Sequence, residues 1–322
     1  TDSDSDLPYS LKAKYDIPVV YMPYAIDGKE YFDDLGQTMD QHTYFDKMRA
    51  GATPVTSALN QADYMEYFEP ILKEQDLLFV AFSSQLSCTI QAVYAAREEL
   101  LAKYPQRKFI VVDTLSISGP MTMLLLKAHE LYREGKSMEE VAQWLEENKL
   151  RAQAFFTVDD LKYLKRGGRL SATSAGLGNM LDLKPIIVES KEGKLVPVDK
   201  VRGRKKAMSY LVDKSAENIT HPEDQEVIIL HADAPQDAAK LDEMLKANPH
   251  QMCFHLETEP HPDMLLSHIR RHGVRAGIAL KPSTPLCQLD YILERCDFIM
   301  IMLINPGYAH IPGETKVPYA AR

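Results

Sequence analysis

The residues best suited to chemistry are hydroxyls placed just after apolar runs. Ser83-Ser84-Gln85-Leu86-Ser87 follows Leu77 to Phe82, Asp113-Thr114 follows Phe109 to Val112, and Thr56-Ser57 closes Pro54-Val55-Thr56-Ser57. Where such runs are strands of an open α/β sheet, the ligand crevice lies beyond their carboxyl ends, beside helix N-termini with free N–H groups. Two or three hydroxyl or N–H donors gathered there suit one carboxylate. Each residue also has an ordinary structural role. Thr56 and Ser57 precede a helix near Ala62, Ser87 or Thr89 stands where an N-cap belongs, and Asp113 is placed to cap the helix that follows it.

Catalytic constellations are missing from the sequence. It holds no GxSxG, no Walker loop, no GxGxxG and no carboxylate pair beside Asp113 at acid/base spacing. Cys88, Cys253, Cys287 and Cys296 form no CxxC pair, so neither structural zinc nor another metal is expected. His255 and Glu257 alternate along one apolar run and face one side, but a single pair of that kind builds no metal or acid/base centre. His255 therefore reads as a strand residue satisfied by its surroundings. Gly167-Gly168 reads as a turn with positive φ, and Arg202-Gly203-Arg204-Lys205-Lys206 as a basic run of the kind that usually forms a solvated face.

The elements that must position these groups follow from periodicity. Ile17 to Met22, Leu77 to Phe82 and Phe109 to Val112 predict strands, with helices at Ala62 to Glu74, Thr89 to Lys103, Met121 to Glu134 and Ser137 to Asn148. A second block begins near Phe155: strand Phe155 to Val158, a helical turn from Asp159 to Lys165, and a helix from Ser174 to Leu183 that Pro185 ends. Ile186 to Glu189 and Leu195 to Val198 then form a hairpin about Glu192-Gly193, followed by an amphipathic helix to Asn218, strand Glu226 to His231 and helix Gln236 to Ala247. Met252 to Leu256, Arg275 to Leu280 and Phe298 to Leu303 predict strands again, with helices Asp263 to His272 and Leu286 to Glu294 between them, a βαβαβ run of barrel-like regularity.

Composition narrows the classes. The 322 residues are 45% hydrophobic and 26% charged, an ordinary globular balance with enough apolar mass for a substantial core. A formal charge of −9 gives no global field toward nucleic acid or anionic lipid. The apolar runs are far shorter than the ~20 residues that cross a bilayer, and scattered cysteines without a signal-peptide pattern point to a reducing, cytoplasmic setting. The sequence opens on Thr1-Asp2-Ser3, and any strand preceding Thr1 is expected to lie outside it.

Residues 1 to about 249 resemble the DegV family of bacterial fatty-acid-binding proteins, which includes the binding subunits of fatty-acid kinase systems. The resemblance rests on Thr1-Asp2-Ser3 with Asp6-Leu7-Pro8, Gly28-Lys29-Glu30-Tyr31, Pro54-Val55-Thr56-Ser57, Ser83-Ser84-Gln85-Leu86-Ser87-Cys88-Thr89 and Val112-Asp113-Thr114. It continues through Asp160-Leu161-Lys162-Tyr163-Leu164-Lys165-Arg166-Gly167-Gly168-Arg169-Leu170-Ser171, Lys184-Pro185-Ile186 and Lys200-Val201-Arg202-Gly203-Arg204-Lys205-Lys206-Ala207. It implies a two-domain α/β fold, doubly wound in residues 1–153 and smaller in 154–249, with a long-chain fatty acid between the domains and no other cofactor. Thr56 and a serine of Ser83-Ser84 would hold the carboxylate. Arg202 would stand close to it or to the surface that receives a partner kinase. The chain would be a carrier rather than an enzyme.

The end of the chain departs from that pattern. No His-Thr-Gly-Pro-Gly type loop closes it. Instead Phe254-His255-Leu256-Glu257, Gly273 to Pro285 and Asp297 to Tyr308 resemble the fourth to sixth barrel strands of ribulose-phosphate 3-epimerase, which implies a TIM-barrel-like fragment over 250–322. The acid/base and metal positions of that family, expected in an HxDxMDG stretch and a later Asp, have no counterpart here. The expectation is a chimera joined between Ala247 and Gln251. An epimerase fragment and an inactive chimera are the alternatives to the carrier.

Overall fold

The computed structural model describes residues 1–159, 161–169, 183–219, 226–247, 251–271, 274–280 and 284–301. The chain divides into two compact units, Thr1–Ala207 with Val227–Ala239, and Met208–Glu226 with Lys240–Arg322.

The first unit opens on a 3-10 turn, Ser3–Ser5, and helix α1, Tyr9–Tyr15. Strands β1 (Pro23–Ile26) and β2 (Lys29–Phe32) form a hairpin. Its turn residues Asp27 and Gly28 both have positive φ, the backbone that a two-residue turn needs to match strand twist. After α2 (Gln41–Arg49), the short β3 (Val55–Thr56) pairs antiparallel with β1. Helix α3 (Gln61–Glu74) starts on a capping box: Asn60 accepts from the N–H groups of Ala62 and Asp63, and Asp63 accepts from the N–H of Asn60. Strands β4 (Leu77–Ala81) and β5 (Phe109–Asp113) are parallel and connected through α4 (Thr89–Lys103). Helices α5 (Ser118–Arg133) and α6 (Met138–Asn148) follow.

Two apolar clusters hold this sheet pair. In one, Tyr64, Phe68 and Leu72 of α3 meet Phe79, Ile90, Val93 and Phe109; in the other, Val80 and Val112 meet Leu124, Leu125, Val141 and Leu145. Phe79 and Val80 are successive residues of β4 that fall into different clusters, as the two-residue strand period requires.

The unit continues with β6 (Phe155–Thr157), α7 (Lys162–Arg166), β7 (Leu183–Glu189) and β8 (Leu195–Arg202), an antiparallel sheet ordered β6-β7-β8. Helices α8 (Arg204–Asn218) and α9 (Pro235–Ala247) each begin in the first unit and end in the second. In the second unit, β9 (Gln251–His255), β10 (Arg275–Leu280) and β11 (Phe298–Ile301) are parallel, with β10 central and α10 (Pro262–Arg271) packed on it. Its core is Leu256, Leu266, Ile269, Ala276, Ile278, Leu280 and Ile292 with their neighbours. Among the described residues, no helix is long and apolar enough to cross a membrane.

Several sequence expectations need correction. Ile17 to Met22 is no strand; its isolated bridge joins Val20 to Asp2, which itself lies outside the sheets. Glu226 to His231 has no strand pairing among the described residues, with Val227 and Leu230 half-exposed. Pro185 lies inside β7 rather than ending a helix. Strand β6 pairs only with Ile186, Ile187 and Val188, so position 185 is beyond its end and the missing N–H is tolerated. The helix expected from Ser174 falls outside the described residues up to 182, and Leu183 begins β7. Leu286 to Glu294 is not one helix but two 3-10 turns, Leu286–Leu289 and Leu293–Arg295. The hairpin Pro23 to Phe32 and helices α1 and α2 were not anticipated.

Candidate functional site: the hydroxyl-rich ends of β4 and β5

Strands β4 and β5 end side by side, with Ala81 opposite Asp113, so the segments that follow them meet. Their backbones are tied by hydroxyls and main-chain bonds. The Ser83 N–H donates to the Ser116 carbonyl at 3.0 Å, and the Thr114 N–H and Oγ1 both donate to the Ala81 carbonyl, at 3.2 and 2.8 Å. Thr114 Oγ1 in turn accepts from the Ser116 N–H at 3.2 Å. Asp113 caps no helix: its Oδ1 accepts from the N–H groups of Leu115 and Ser84, at 3.0 and 3.3 Å, so one carboxylate bridges both loops. Ser83, Thr114 and Ser116 are all buried, so these polar groups need their partners.

The hairpin of β7 and β8 reaches the same place. Ser83 Oγ donates to the Gly193 carbonyl at 2.8 Å, and Ser116 Oγ donates to Glu189 Oε2 at 2.7 Å. Gly193 has φ +79°, and a Cβ there would come within 2.4 Å of Ser83 Oγ and 3.0 Å of the Leu115 carbonyl; only glycine fits. The other carboxylate oxygen, Glu189 Oε1, is buried without a hydrogen-bond partner among the described residues. Burial pushes Glu189 up to about 7, against the opposing pull of the Ser116 hydroxyl and the Ile117 N–H. Phe82 and Leu86, on either side of the serine loop, join a buried apolar cluster with Met121, Leu161, Ile187 and Leu195. Hydroxyl donors and an aliphatic and aromatic cluster are therefore contiguous in this unit.

The residues singled out from sequence divide among different settings. Ser83 is fully buried with its proton committed to Gly193. Ser84 is half-buried, and its Oγ accepts from Gln85 Nε2 at 3.3 Å. Thr56 is exposed on β3 opposite Tyr24 and caps no helix, since Asn60 caps α3. Arg202 is exposed at the end of β8, opposite Leu183. Ser87 Oγ accepts from the Thr89 N–H at 3.3 Å, while the N-cap of α4 is Cys88 with no side-chain bond. Of Gly167-Gly168 only Gly168 has positive φ; the following Arg169 donates through Nε to the Leu86 carbonyl at 3.4 Å, tying that turn to the serine loop. His255 Nδ1 is buried without a hydrogen-bond partner among the described residues and stands 3.8 Å from Glu257.

Sequence reasoning missed Ser116, Glu189 and the placement of Gly193. Glu192-Gly193 announces a turn, but nothing local says that the turn seats on a serine 110 residues earlier. One cluster with metal-ligand atoms occurs among the described residues: His42, Asp46 and Asp233. Arg49 Nη1 contacts both of its carboxylates, at 2.7 and 2.5 Å, so their charge is already answered by a guanidinium.

A family model described as "Uncharacterised protein, DegV family" matches residues 1–269. The chain belongs to the DegV family. The match runs beyond the junction expected between Ala247 and Gln251. A DegV domain-containing protein of Clostridium perfringens is 36% identical over 270 residues, covering 84% of this chain and 89% of that protein. Among solved DegV structures, a fatty acid binding family member from Streptococcus agalactiae has a TM-score of 0.66 at 29% identity, over 76% of this chain and 86% of its own. A Thermus thermophilus DegV family protein, described by its fatty acid binding, has a TM-score of 0.57 at 26% identity, over 93% of this chain and 89% of its own. The α/β fold of the DegV proteins is thus the fold of this chain. The epimerase-like fragment expected over 250–322 does not emerge from these similarities.

Proposed function

We propose that this DegV protein binds a long-chain fatty acid and presents its carboxylate to a partner kinase, itself performing no catalysis. The observation that carries the reading is the junction of β4 and β5 with the β7–β8 hairpin. There the hydroxyls of Ser83, Ser84, Thr114 and Ser116 adjoin an apolar cluster, in a family whose solved members from Streptococcus agalactiae and Thermus thermophilus are described as fatty acid binding. A fatty acid asks for hydroxyls at one anion and a dry surface for its tail, although in this arrangement Ser83, Thr114 and Ser116 give their protons to Gly193, Ala81 and Glu189. In this reading Thr56 and one of Ser83 and Ser84 hold the head group. Exposed Arg202, with Lys205 and Lys206 beside it, faces the partner, which must approach a carboxylate from outside. The protein works in the cytoplasm, with a first domain over 1–153, a second over 154–249 and the acyl chain between them.

The tail is read as a structural segment of barrel-like type. Its three successive parallel strands support that reading, and the missing acid/base positions argue against epimerisation. Lipid extraction and mass spectrometry of protein purified from a bacterial host should release long-chain fatty acids in near-stoichiometric amount. Folded protein free of lipid, and unable to take up oleate, would overturn the carrier reading.

A further inference from the structure

We infer that the β7–β8 turn is an autoinhibitory latch on the head-group hydroxyl, and that a carboxylate gains Ser83 only when the turn lifts. The inference rests on the fatty-acid reading above. A serine hydroxyl has one proton to donate, and Ser83 gives it to the Gly193 carbonyl at 2.8 Å in a fully buried setting. A carboxylate is acceptor-only, so it cannot share that position with a carbonyl oxygen. With the turn seated, the Gly193 carbonyl stands where the anion would bind and opposes it, and the Glu189 side chain occupies the Ser116 hydroxyl.

The turn is built to move as a piece. Ser190 and Lys194 close it, with the Ser190 N–H donating to the Lys194 carbonyl and the Gly193 N–H to the Ser190 carbonyl, each at 2.8 Å. Among the described residues its tip is held on the β4 and β5 loops by two hydroxyl bonds, Ser83 to Gly193 and Ser116 to Glu189, with the Ile117 N–H on the same carboxyl, while Ile187 and Leu195 anchor the strands behind it in the apolar cluster. Both bonds can be released while the Ser190–Lys194 closure stays intact. The seated state then competes with ligand, and apparent affinity is lowered by the fraction of molecules that are latched.

The test uses the full chain stripped of lipid, oleate as ligand, and hydrogen exchange of the 190–194 amides read by mass spectrometry. Oleate should speed exchange in the turn by several-fold. Gly193→Ala, whose methyl cannot fit beside Ser83, should release the turn without ligand and bind oleate about five- to tenfold tighter. Ser116→Ala, which removes the second bond and leaves Gly193 untouched, should shift both readouts in the same direction by a smaller factor, so the test survives if Gly193→Ala fails to fold. Oleate binding by the wild type with unchanged or slowed turn exchange, and with no tightening in either variant, would overturn the latch and leave the carrier reading standing. Failure of the wild type and both variants to bind oleate would overturn both. Binding by the variants alone would support the latch in its strongest form.

Discussion

Glu189 shows how a single half-buried side chain records the design of this region. Its carboxyl holds its proton up to about 7 because burial penalises the charge more than the Ser116 hydroxyl and the Ile117 N–H stabilise it. A carboxyl raised above its unfolded value contributes stability that is fully present below the ordinary value near 4.5 and is lost as pH rises through about 7. Glu189→Gln keeps an acceptor for Ser116 but has nothing to ionise. Urea unfolding at pH 5 and pH 8 should therefore show the variant gaining on the wild type with rising pH, by no more than about 3 kcal/mol. Parallel pH profiles for the two proteins would contradict the buried, under-satisfied carboxylate. No feature of Ile186 to Glu189 as a sequence marks that glutamate as desolvated; its surroundings come from Ser116, 73 residues away.

Local signals fixed elements well where the physics is local. The capping box of α3 is complete, and its apolar face, Tyr64, Phe68 and Leu72, follows helical spacing, so the segment Ala62 to Glu74 is legible from residues alone. Asn60→Ala removes the acceptor for two free N–H groups and should cost about 1 kcal/mol, read as a lower urea midpoint with an unchanged slope. Loss of less than about 0.3 kcal/mol would show that water serves those groups equally well. The converse case is Glu226 to His231. Its composition favours a strand, but a strand exists only where a second backbone offers its N–H and carbonyl groups, and none pairs with it among the described residues.

At the scale of the whole molecule, the chain falls into two compact units whose boundaries cut through α8 and α9 rather than through a linker. Every residue of the cluster around Leu266 and Ile278 belongs to the second unit, and every residue of the clusters around Phe68, Val112 and Met121 to the first. Leu266→Ala empties a fully buried position and should cost about 2–5 kcal/mol in that second core. Hydrogen exchange should then rise in β9, β10 and β11 while β4 and β5 keep their protection. An equal rise in both sheets would show that the units unfold as one and would sink the reading of the tail as a segment with its own core.

By itself the sequence determined the α/β class, the parallel β4–β5 and β9–β10–β11 runs, most helices, the family, and the loops in which polar donors collect. These follow from periodicity, capping and turn chemistry, which act within a few residues. Only the tertiary structure decided which of those donors are free. Ser83 and Ser84 are neighbours of the same type, yet one is fully buried with its proton spent on Gly193 and the other is half-buried and accepts from Gln85. A hydroxyl's availability depends on what the rest of the chain brings within 3 Å of it, and that is set by long-range packing rather than by its position in the sequence.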